Sequence, residues 1–190
     1  MRSVLIGVVI SCVTAAATAE TPVVNFAGPG AELRSPNDAL RAYSADIPGK
    51  RDELPWHSVR IAYPDRHSER LHAYLRNANI SWAPTSDALY ISDIQGSNVA
   101  DCFVVTPSPH RNRKVSLTDV ISHGRFPGPN HFLKFADHGY VVCDRWEDSN
   151  RIHVTVYGDI FPYEYTYTFI YDRKRGIARQ LSAKKVKRTD

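Results

Sequence analysis

Apolar and polar positions change rhythm along the chain. Leu40, Tyr43 and Ile47 recur at the interval of one helix face. Ser35 precedes them as a cap, Pro36 suits a first helical position, and Pro48-Gly49 ends the run. Leu71, Tyr74 and Leu75 repeat the pattern behind Asp65 or Ser68, so a second helix is predicted, ending near Asn77–Asn79. Val59, Ile61 and Tyr63 alternate with Arg60 and Ala62 and predict a short strand. Leu89–Ile94 and Cys102–Thr106 predict two more, joined by the turn Gln95-Gly96-Ser97-Asn98. Leu117–Ile121 predicts one helical turn. The stretches Pro107–Arg113 and Gly124–Asn130 are too rich in proline or charge for regular structure.

The last third switches to apolar-rich runs: His131–Phe135, Tyr140–Trp146, Arg151–Tyr157, Tyr163–Tyr171 and Ile177–Ser182. Their connectors are short and rich in turn formers, so the runs should be antiparallel neighbours, because a parallel crossover needs a dozen residues or more. The expected fold class is α+β. One or two N-terminal helices would pack on a mostly antiparallel sheet that ends in a five-stranded C-terminal meander.

Residues 1–19 have a different pattern. Arg2 is followed by an apolar run, Val4 to Val13, and Ala17-Thr18-Ala19 offers a small-x-small cleavage site. This is the layout of a secretory signal peptide, too short for a membrane span. Cys12 behind Val9-Ile10-Ser11 raises lipidation as a variant. Residues 20–190 are then a single domain, with an irregular lead-in over 20–34 and a basic tail over 184–190. The expected location is periplasmic or secreted. Loss of the leader leaves Cys102 and Cys143, and an even pair in an oxidising compartment predicts a disulfide. The mature chain carries one positive charge fewer than the +4 of all 190 residues.

Composition is that of an ordinary globular protein, 43% hydrophobic and 23% charged, which excludes disorder and fibrous classes. Basic clusters at 110–114, 173–175 and 184–188 suit an acidic partner or an anionic surface. No histidine or cysteine spacing specifies a metal, and no phosphate loop or nucleophile motif calls for a cofactor. Whether the chain is an enzyme is left open, with a non-enzymatic role preferred.

Two functional expectations follow. In Tyr163–Tyr171 every odd residue is aromatic, so all five share one strand face. Tyrosine, tryptophan and phenylalanine suit interface anchors, which makes Tyr163, Tyr165, Trp146 and Phe161 the candidate contacts. The leading expectation is an exported binding protein, most concretely an inhibitor or immunity protein that blocks an enzyme in the same compartment. A protein partner is expected, with an anionic envelope ligand or nucleic acid as alternatives. The second expectation is a small secreted, metal-independent ribonuclease. Such enzymes place a Glu, a His and an Arg on an antiparallel sheet, and Glu164, His153 and Arg145 or Arg151 are the matching residue types here.

Overall fold

The structure, a computed structural model, describes residues 20–49, 56–96, 99–123, 139–158 and 163–187. It is built of strands. In chain order they are β1 (Val24–Phe26), β2 (Glu32–Arg34), β3 (Arg41–Ile47), β4 (Trp56–Ala62), β5 (Ser68–Tyr74), β6 (Asn77–Trp82), β7 (Leu89–Ile94), β8 (Val99–Thr106), β9 (Arg113–Ser116), β10 (Gly139–Trp146), β11 (Arg151–Gly158), β12 (Tyr163–Asp172) and β13 (Ile177–Lys187). The only helix among the described residues is α1 (Leu117–His123), capped where Ser116 Oγ accepts the Asp119 N–H at 3.0 Å.

The expected N-terminal helices are absent, and the α+β assignment is overturned. The segment after Pro36 is β3, and the segment after Ser68 is β5. Ser35-Pro36-Asn37-Asp38 is a turn: Asp38 N–H donates to Ser35 C=O at 2.8 Å, and Ser35 Oγ accepts the Leu40 N–H at 3.0 Å. In β3 the buried residues are the small Ala42 and Ser44, with a period of two. In β5 the spacing of Leu71 and Tyr74 has another cause. Val59 pairs with His72 but Arg60 pairs with Arg70, so Leu71 is the extra residue of a β-bulge. A bulge puts inward positions three apart and imitates a helix repeat. The expected lead-in over 20–34 likewise contains β1 and β2.

The strands form two sheets. One has the order β2-β3-β4-β5, wholly antiparallel. The other runs β1-β6-β7-β8-β10-β11-β12-β13, with β9 also paired to β8. Its C-terminal part is a four-stranded antiparallel run, β10 to β13, in place of the five-stranded meander; the fifth expected strand, 131–135, lies outside the described residues. Strands β8 and β10 pair in parallel, through Gly139 opposite Val99 and Tyr140 opposite Ala100.

Strand β7 explains how the sheets stack. Its residues Leu89 and Ile91 join a core with Phe26, Val59, Ile61 and Tyr74. Its residue Tyr90 faces the other way, into a core with Leu117, Ile121, Val154, Val156 and Phe169. A strand covered on both faces is buried along its length, and β7 is buried from Leu89 to Asp93. The middle layer, β1 and β6 to β8, is thus packed between the four-stranded sheet and the C-terminal part of its own sheet. Cys102 and Cys143 tie the middle layer to that C-terminal part by a disulfide, with Cα atoms 5.6 Å apart. Ser92 reinforces the tie by accepting the Cys143 N–H at 2.9 Å and donating to the Cys143 C=O at 3.1 Å. Among the described residues no helix is long and apolar enough to cross a membrane.

Candidate functional site

The aromatic row of β12 is divided by depth. Tyr167, Phe169 and Tyr171 pair in register with or lie beside the buried Val154 and Ile152 of β11, and all three are core residues. Tyr165 is half-buried against that core, and Tyr163, at the strand's start, is 38% exposed. The row is neither wholly covered nor wholly open. Trp146 belongs to the covered part, so its placement among the open contacts is corrected. Its indole N–H donates to Ser81 C=O at 3.2 Å and its ring stacks near Tyr90, leaving it buried. Phe161 lies outside the described residues.

The open end of β12 gathers further residues that the sequence did not single out. Lys185, diagonal to Tyr163 across the β12–β13 ladder, holds its Nζ 3.7 Å from the centre of the Tyr163 ring. On the opposite face of the same sheet end, Tyr140 and Tyr157 are register partners and stack with ring centres 4.7 Å apart and planes 13° apart. Four strand ends thus bring Tyr140, Tyr157, Tyr163, Tyr165 and Lys185 to one end of the sheet. Tyr140 and Tyr157 were visible in the sequence as strand residues, but their meeting depends on the β10–β11 register, which no local pattern encodes. The expected basic tail is strand here: Lys184, Lys185 and Lys187 continue β13 opposite Thr166, Tyr165 and Tyr163. As the terminal strand of its sheet, β13 presents these lysines on an edge, where charge discourages pairing with another sheet.

The acid–base candidates are placed differently. Glu164 and His153 share the outer face of the sheet, but His153 pairs with Thr168, four residues along β12 from Glu164. Four residues of strand span about 13 Å, too far for one substrate oxygen to meet both. His153 instead donates from Nδ1 to Asp144 Oδ2 at 2.7 Å, and the Thr155 hydroxyl donates to the same oxygen at 2.6 Å. Asp144 is the extra residue of a bulge between Cys143 and Arg145, which turns its carboxylate onto this face. Arg145 is the register partner of His153 and is exposed. Arg151 is engaged elsewhere: its Nε donates to Asp148 Oδ2 at 2.6 Å, and two backbone N–H groups as well as that arginine hold the Asp148 carboxyl below the ordinary carboxylate range against the opposing effect of burial. The structure therefore brings together neither Glu164 with His153 nor Arg151 with either.

Among the described residues no group of three or more His, Cys, Asp or Glu side chains is arranged to hold a metal ion. What this sheet end offers chemically is contact: rigid aromatic rings with one polar tip each, and a cation held over one of them. No protein-family model matches the chain, and no curated protein matches it in sequence.

Proposed function

We propose that this chain is an exported binding protein that holds a protein partner at the tyrosine–lysine end of its C-terminal sheet. Its most concrete form is an inhibitor or immunity protein that blocks an enzyme of the same compartment. The observation that carries the reading is Tyr163, a large aromatic ring left 38% exposed beneath the Lys185 ammonium, beside the half-buried Tyr165. Tyrosine on a strand loses little freedom on contact and combines apolar area with a hydrogen-bonding tip, which suits an interface anchor. A disulfide between two core layers supports a preorganised scaffold and fits an oxidising compartment. The leader-like residues 1–19 point to the same compartment.

The test is inhibition with a matched variant. Full-length protein on a support should retain an enzyme from the source's exported fraction, and the soluble protein should inhibit that enzyme. Tyr163→Ala combined with Lys185→Glu should weaken inhibition by about a hundredfold, the size of a lost interface anchor. Inhibition unchanged in that variant, or no inhibited enzyme at all, removes the proposal.

A further inference from the structure

The other end of the β12–β13 hairpin carries a second feature. The sequence places basic clusters at 110–114 and at 173–175, some sixty residues apart. The fold brings them together. Arg113, the first residue of β9, sends Nη1 to the Arg173 C=O at 2.9 Å and also to the Lys174 C=O. Gly176 makes this approach feasible. Its φ is +65°, and a Cβ there would lie 3.0 Å from Arg113 Cδ, so glycine is needed both by the turn and by the crossing side chain. The turn is closed by the Gly176 N–H on Asp172 C=O at 2.7 Å.

The result is an open groove of about 950 Å³ lined, among the described residues, by His110, Arg111, Arg113, Lys114 and Arg175 together with small neutral residues and no carboxylate. The neighbouring acids are held in hydrogen bonds, two of them by the groove residues Asn112 and Arg175. Glu69 accepts from Asn112 Nδ2 at 2.5 Å, and Asp93 accepts from His72 at 2.7 Å. Asp172 accepts the Arg175 N–H, with the Arg175 guanidinium a loose 3.8 Å away and 76% exposed. Lys114 lies with its ammonium 4.6 Å from the centre of the Phe103 ring and 3.1 Å from His72 Nδ1.

We propose that this groove is a binding site for a phosphoryl group. Four permanent cations, with Asp172 beside Arg175 the acid that partly offsets them and no carboxylate among the described lining residues, create a potential that a multiply charged anion would relieve. Their origin on three separate segments favours phosphate over carboxylate. The cations approach from the 107–112 loop, from β9 and from the β12–β13 turn, and a tetrahedral group offers oxygens to several sides where a planar carboxylate offers two along one edge. Burial pushes the Lys114 ammonium below its ordinary range, with Asp93 opposing; an anion in the groove would act in the same sense as Asp93. The site is independent of the protein-binding reading, because Tyr163 and Asp172 stand at opposite ends of a ten-residue strand, about 30 Å apart.

The experiment is calorimetric titration of the full chain with inorganic tripolyphosphate. One-to-one binding is expected. Arg175→Glu and Arg111→Glu, both at exposed positions, should each weaken it by about tenfold or more. Lys187→Glu makes the same change in net charge at the far end of the hairpin and should change affinity less than about twofold. A second arm uses phosphatidylcholine vesicles with and without phosphatidylglycerol. Capture by the phosphatidylglycerol vesicles, competed by tripolyphosphate, identifies a lipid headgroup as the source. Tripolyphosphate binding without capture identifies a soluble phosphate. Equal loss in Lys187→Glu, equal binding of citrate, or no binding of tripolyphosphate or vesicles overturns the proposal. Unchanged melting of the variants confirms that a loss of binding is not a loss of fold.

Discussion

His72 on β5 and Asp93 on β7 join the two sheets by a hydrogen bond, Nε2 to Oδ2 at 2.7 Å, with side chains only 9% and 4% exposed. The Lys114 ammonium, 3.1 Å from Nδ1, can only donate, so the imidazole proton sits on Nε2 and points at Asp93. The Phe103 ring, 4.6 Å away, walls the pair from water. Among the described residues Asp93 Oδ1 has no hydrogen-bond partner, so the carboxylate depends on the bond from His72 to its other oxygen.

His72→Ala should therefore be costly, since it leaves a buried carboxylate unpaired; about 3 kcal/mol is expected. His72→Ala with Asp93→Ala should cost less than the sum of the two single changes, with a coupling of about 1 kcal/mol or more. Urea unfolding of the four proteins measures it. Additive losses would mean that the hydrogen bond does not hold the sheets together.

Three hairpin turns share one construction. Ser35-Pro36-Asn37-Asp38, Tyr63-Pro64-Asp65-Arg66 and Ala83-Pro84-Thr85-Ser86 each close with the fourth N–H on the first C=O, at 2.8, 3.1 and 2.9 Å. Each puts its fourth residue at positive φ: Asp38 at 58°, Arg66 at 69° and Ser86 at 67°. A left-handed non-glycine residue costs about 1–2 kcal/mol, and the extra unfolded-state freedom of glycine takes back about 0.4–1 kcal/mol. Arg66→Gly should thus stabilise the protein by about 0.5–1 kcal/mol in denaturant unfolding. Ser86→Gly should not, because Ser86 Oγ accepts the Asn37 N–H at 2.9 Å and ties two of the turns together. Equal gains at both positions would show that this cross-link contributes nothing.

The same turns show why the first half of the sequence misleads. Serine, aspartate and proline before an apolar residue serve a helix cap and a tight turn equally well. Nothing within Ser35–Asp38 distinguishes the two; the register of β2 with β3 does. The small residues Ala42 and Ser44 hide the inward face of β3, and the Leu71 bulge distorts that of β5. The C-terminal strands are legible because their connectors are short and their inward residues large: Ile152, Val154 and Val156 alternate cleanly, as do Tyr167, Phe169 and Tyr171. The sites are less legible, because they form where distant segments meet. Arg113 with Arg173, and Tyr140 with Tyr157, are contacts of register and curvature, invisible in the local pattern.

The disulfide joins strands separated by 41 residues, and its partners are almost wholly buried, Cys102 at 0% and Cys143 at 2% exposure. A loop of that length, closed in the unfolded chain, is worth about 4 kcal/mol in the chain-entropy model. Cys102→Ala with Cys143→Ala should lose stability of that order, and the melting temperature should fall with it. Adding reductant should lower the melting temperature of the native protein and leave that of the double variant unchanged. A reductant effect on the double variant, or none on the native protein, would deny the bond its role.

Buried phenols set the alkaline limit. Burial pushes the hydroxyls of Tyr63 and Tyr167 up to about 12, and it also raises those of Tyr74, Tyr90 and Tyr171. Tyr43 runs the other way: burial raises it, but the hydrogen bonds from Ser68 and Arg60 outweigh that and lower it. In the unfolded chain a tyrosine ionises near pH 10. A group raised on folding contributes stability that is fully present below its unfolded value and is lost as pH climbs towards its folded one. Stability should thus be level up to about pH 10 and fall steeply between about 10 and 12. Tyrosinate absorbance at 295 nm from the buried set should appear together with loss of the near-ultraviolet circular dichroism, not before it. Tyr167→Phe removes one of these late-ionising groups from the core and should flatten the fall without changing its starting point. If the buried phenols ionise near pH 10 while the dichroism stays native, Tyr167 and Tyr171 are not in a closed core, and the packing of β12 against the middle layer is wrong.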